Sequence, residues 1–85
     1  MPRNEELEAL FQAQYDWENA WPQEKSAYQS AYHKLVQYHV RRYNATASAR
    51  GKRQITEAEF REAVGGRYYQ FKKSRDKELA RKLTT

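Results

Sequence analysis

The stretch TEAEFREAVGGRYYQFKKSRDKELARKL, Thr56 to Leu83, decides how the chain is read. Its first four residues fit a capping box: the Thr56 hydroxyl accepts from the Glu59 amide while the Glu59 side chain reaches back. Ile55 and Phe60 stand where a hydrophobic staple would place them. A helix is therefore expected from Glu57. The doubtful point inside it is Gly65-Gly66, since two interior glycines cost roughly 2 kcal/mol relative to alanine. Phe60, Val64, Tyr68, Phe71, Leu79 and Leu83 nevertheless keep one helical register across the pair. We read one long helix, with the glycines marking a kink or a close approach of another helix. Read instead as a strand, GRYYQF would need partner strands that the chain does not offer.

Working outward, residues 4–20 form a first helical pattern. Asn4 stands where a cap belongs, and Glu5 and Glu6 suit the positive end of the helix dipole. At about 100° per residue, Leu7, Leu10, Phe11, Tyr15, Trp17 and Trp21 share one broad arc. Pro22 then breaks the chain or opens the next helix. From Pro22 to about Ala47, Tyr28, Tyr32, Leu35, Val36, His39 and Tyr43 make a second stripe at spacings of three and four. Residues 44–55 lose this periodicity; they are small, polar and basic, and read as a loop. The expectation is one all-α domain over residues 1–85, a small three-helix bundle or a helical hairpin with an N-terminal packing helix. Its helices run over about 4–20, 22–47 and 57–83.

Composition narrows the function. A chain of 85 residues has little room for a deep catalytic cleft, and its core supplies only a few kcal/mol of net stability. Large aliphatics are scarce, and twelve aromatics take their place. Tyr and Trp bury well but need partners for their OH and NH groups, so a second copy of the chain or a bound partner is one way to complete the core. There is no cysteine, which excludes disulfides and thiolate chemistry. With no apolar leader and no run near the length of a membrane span, the chain reads as soluble, cytoplasmic and without a membrane role.

Net charge is +5, but residues 1–40 hold three basic and six acidic side chains, whereas residues 41–85 hold thirteen basic and five acidic. Such polarity suggests a polyanion partner for the second half, pairing between the halves, or both.

The residues that carry chemistry elsewhere are sparse. His33 and His39 lie about 120° apart around a helix and cannot face one metal together, so no metal or cofactor is expected. His39, within an apolar stripe, reads as a buried histidine bonded to a tyrosine or to Glu18. No nucleophile elbow, phosphate loop or paired carboxylates appear, and no enzyme is expected. Glu18, Arg42 and Arg75 each intrude on an apolar arc, and if they met they would form a partly buried ion network.

Two surfaces remain. On the third helix Lys73, Lys77 and Arg81 follow one another at spacings of four, with Arg67 read on the same side and Tyr69 placed to stack on a base. Arg50, Lys52 and Arg53 add charge just before the helix. This set suits contact with DNA or RNA phosphates without sequence preference. The alternative is a protein-interaction module, a small inhibitor, adaptor or assembly subunit of the kind phage and mobile elements encode. It would bind through Trp17, Trp21, Tyr38 and Tyr43, since Trp and Tyr are typical anchors.

Overall fold

The computed structural model describes residues 3–84. It contains three helices, α1 (Asn4–Asn19), α2 (Lys25–Ala49) and α3 (Glu57–Thr84), and no strand among the described residues. The fold is the expected all-α three-helix arrangement. The boundaries and the packing order carry the differences.

The first helix is capped by other residues than expected. Arg3 occupies the N-cap, and its amide donates to Glu6 Oε2 at 3.2 Å. Asn4 lies inside the first turn, where its Oδ1 accepts from Arg67 instead. Leu7, Leu10, Phe11 and Tyr15 are buried, and Trp17 stacks on Tyr32 with ring centroids 5.6 Å apart. Trp21 is a correction: the helix ends at Asn19, so Trp21 leaves the apolar arc and is 71% exposed. Pro22 opens no helix. It takes the second place of a turn closed by the Glu24 amide donating to the Trp21 carbonyl at 2.8 Å, a position its fixed φ suits, and α2 starts three residues later than expected.

The second helix runs to Ala49, two residues past the expected end near Ala47, so residues 44–49 belong to it and not to the loop read over 44–55. Ala45, Ala47 and Ala49 are strong helix formers. The helix stops in a Schellman motif: the Lys52 amide donates to the Ala47 carbonyl and the Gly51 amide to the Ser48 carbonyl. Gly51 supplies the required left-handed residue, φ +68°. The connection thus shrinks to residues 50–56. Asn44 braces it from within α2, accepting from the Ile55 amide at 2.8 Å and donating to the Ile55 carbonyl at 3.0 Å.

The start of α3 is as expected. The Glu59 amide donates to Thr56 Oγ1 at 3.1 Å, and the Thr56 amide donates to Glu59 Oε1 at 3.0 Å. The helix is continuous through Gly65 and Gly66. Both are exposed, and a Cβ built on either meets nothing within 4 Å, so they do not mark a close helix approach.

The most extensive interface joins α1 and α2 into a hairpin, and α3 is laid across it. Residues of α3 between Arg67 and Asp76 reach α1 from Asn4 to Glu18, as expected of a crossing helix. The core gathers Leu7, Leu10, Phe11, Tyr15, Tyr32, Val36, Val40, Phe60, Val64 and Tyr68. Phe11 meets the rings of Tyr68 and Phe71 at 5.8 and 5.7 Å. Tyr28 and Tyr38 fall outside the arc that α1 and α3 cover and stay exposed. The molecule measures 52 × 26 × 16 Å, elongated because α3 outruns its support. Tyr15 donates to Asp76 Oδ1 at 2.9 Å, and from Lys77 to Thr84 every residue is exposed. No helix among the described residues is long and apolar enough to cross a membrane.

Candidate nucleic-acid interface

The acidic half pairs with the basic half where α1 meets α3. Lys72 Nζ stands 3.9 Å from Glu18, and Arg75 stands 3.9 Å from Glu8 and 3.2 Å from Glu78. Arg75 also lies over the Phe71 ring at 4.9 Å, while its Nε is buried without a hydrogen-bond partner. The side chain is therefore turned inward. Glu18 accepts from the Tyr68 hydroxyl, and Arg42 makes a long contact of 3.4 Å to the Tyr38 hydroxyl near the other end of α2. Glu18, Arg42 and Arg75 do not form one network.

What α1 leaves on the outer side of α3 is narrower than the sequence set. Tyr69 is 55% exposed, and Lys73 Nζ lies 5.1 Å from the centre of its ring. Lys77 and Arg81 follow on exposed turns. Neither Lys73 nor Lys77 has a carboxylate partner among the described residues. Arg67 does not belong to this ridge. It sits about 120° around the helix from Lys73, half-buried, with one guanidinium nitrogen donating to Asn4 Oδ1 at 3.1 Å.

The loop cations also separate. Arg53 is paired with Glu59 at 2.5 Å. The Thr56 amide first and Arg53 second hold the Glu59 carboxyl below its ordinary pKa, so this charge is neutralised within the cap. Arg50 and Lys52 line a cleft of about 280 Å³ with Glu6, His39, Arg42, Tyr43, Thr46 and Ala47. That cleft lies by the start of α3, some 30 Å of helix from Lys77 at 1.5 Å per residue.

His39 sits beside the cleft, 5% exposed, stacked on Phe60 at 5.9 Å and against the edge of Tyr38 at 5.3 Å. It does not meet Glu18, which is held by α3. Burial lowers its pKa, and Arg42 lowers it further against a smaller opposing pull from Glu6.

The four aromatic anchors do not form one surface. Trp17 is packed on Tyr32, and Tyr43 is half-buried in the cleft wall. Trp21 at the α1–α2 turn and Tyr38 at 54% exposure are the exposed ones, separated by roughly 20 Å of α2. Two exposed apolar side chains on the α3 extension, Leu79 and Leu83, went unremarked as surface because their register continues the core stripe past the end of the core.

Comparison with protein-family models, with curated proteins and with solved structures gives no match.

Proposed function

We propose that the chain is a non-enzymatic basic helical protein that contacts nucleic acid through the outer ridge of α3, without reading sequence. The supporting observation is the division of charge along that helix. Lys72 and Arg75 face α1 carboxylates, while Lys73 and Lys77 face outward with no carboxylate partner among the described residues, on a helix that outruns the bundle. Phosphate contacts of this kind release counterions, so each adds about 0.9 to the slope of log affinity against log salt on duplex DNA. Tyr69 offers a stacking face beside the first lysine. A cytoplasmic setting, where nucleic acid is at hand, suits this activity.

The test is fluorescence anisotropy with duplex and single strands of unrelated sequence, at low and at physiological salt. Binding is expected to be steeply salt-sensitive and nearly equal across sequences. Lys73→Glu with Lys77→Glu should weaken it on the order of tenfold or more. Absence of binding even at low salt overturns the reading.

A second reading, a protein-interaction module, rests on the exposure of Trp21, Tyr38, Leu79 and Leu83. It covers both a homodimer and a different protein partner. It predicts a mass in solution, or a complex, that changes on Trp21→Ala and is indifferent to salt.

A further inference from the structure

We propose that the cleft between the first turn of α1, the C-terminal turns of α2 and the α2–α3 connection is a site for a compact dianion, a phosphate monoester in a biological setting. Three cationic side chains, Arg42, Arg50 and Lys52, line it against one carboxylate, Glu6. The side chains of Arg50 and Lys52 make no hydrogen bond or ion pair with any described residue. Arg42 has only its long contact to Tyr38, and Glu6 is drawn toward the Arg3 amide. Three cations gathered around a recess with a single carboxylate among them still repel one another. A bound dianion offsets that repulsion, and guanidinium forks match phosphate oxygens two at a time.

The walls restrict what fits. His39, backed by the Phe60 ring, together with Tyr43 and Ala47 forms the less exposed side of the cleft, where attraction to an anion is screened less than on an open surface. At about 280 Å³ the space lies just under the usual range of small-molecule pockets. A terminal phosphate with a small appendage is of a size to fit it. The cleft is remote from Lys73 and Lys77, so this inference does not rest on the ridge reading.

A phosphate monoester has two sources, the phosphorylated end of a nucleic-acid strand and a small phosphorylated molecule. The experiment is an amide NMR titration of the whole chain at fixed ionic strength, first with sodium sulfate in exchange for chloride. It is repeated with glycerol phosphate, and with a short oligonucleotide that does or does not carry a terminal phosphate. Saturating shifts are expected at Arg42, Tyr43, Arg50 and Lys52. Lys52→Gln and Arg42→Gln should each weaken sulfate binding about tenfold, the worth of one charged contact, while Lys73→Gln with Lys77→Gln leaves it unchanged. Lys52 is exposed, so its variant keeps the test valid should Arg42→Gln fail to fold. Preference for the phosphorylated oligonucleotide over glycerol phosphate, lost in Lys52→Gln, identifies the strand end; equal affinity identifies the small molecule. Shifts that stay linear in sulfate, or that the ridge variants reduce as much as Lys52→Gln does, overturn the proposal.

Discussion

The Tyr68 hydroxyl donates to Glu18 Oε1, joining α3 to the last turn of α1, with Lys72 at 3.9 Å from the same carboxylate one turn further along. Burial raises the Tyr68 pKa strongly and the Glu18 carboxylate raises it further, so the phenol remains the donor throughout the working pH range. Tyr68→Phe removes a bond to a charged acceptor, but Glu18 is partly exposed and water replaces some of what is lost. The expected cost is about 1–2 kcal/mol in urea unfolding. A cycle of Tyr68→Phe with Glu18→Gln should show coupling above about 0.5 kcal/mol, whereas Glu18→Gln and Arg75→Gln should add independently. The opposite pattern would restore a shared Glu18–Arg75 network.

Gly65 and Gly66 offer a gain. Both are helical, exposed and free of any neighbour that a Cβ would meet. Each Gly→Ala change should stabilise the protein by about 0.5–1 kcal/mol, through backbone entropy in the unfolded chain. Calorimetry that shows either alanine lowering the midpoint would reveal a partner backbone at this surface.

His39 sets a pH dependence. Its folded pKa lies below its ordinary 6.5, chiefly through burial and next through Arg42. The unfolded chain then binds the proton more readily, so stability is complete above that ordinary value and falls as pH drops through it toward the folded pKa. Thermal midpoints of the wild-type chain should decline between about pH 7 and pH 5, where free carboxylates have hardly begun to titrate. The decline should flatten in His39→Gln. An equal slope in both proteins would place the proton elsewhere.

How far the fold was legible depended on how local each cause was. Thr56 and Glu59 are three residues apart and settle their own conformation, so the start of α3 could be read directly. The end of α2 could not. Asn44 begins a small, polar stretch that reads as a loop, and its bonds to Ile55 across the turn depend on a contact that the local sequence does not show. Arg67 had the right charge for the ridge, but its spacing of six from Lys73 puts it about 120° around the helix, and there it donates to Asn4. The cleft escaped notice for the same reason: Glu6, Arg42 and Lys52 belong to three separate stretches, each an ordinary solvated charge until the chain brings them to one recess. The ridge lysines were legible because a spacing of four on one helix needs nothing else to hold true.

Helix α3 also separates two burdens that most small proteins carry on the same residues. Its anchored part, from Phe60 to Asp76, nucleates the helix, and propagating it from there to Thr84 needs no support from packing. Exposed positions there, Lys77 first among them, can therefore change sign, length or chemistry with little penalty to the hydrophobic interior. The projecting end is a region of mutational freedom, where the character of the surface can be rewritten while the fold that displays it stays as it is.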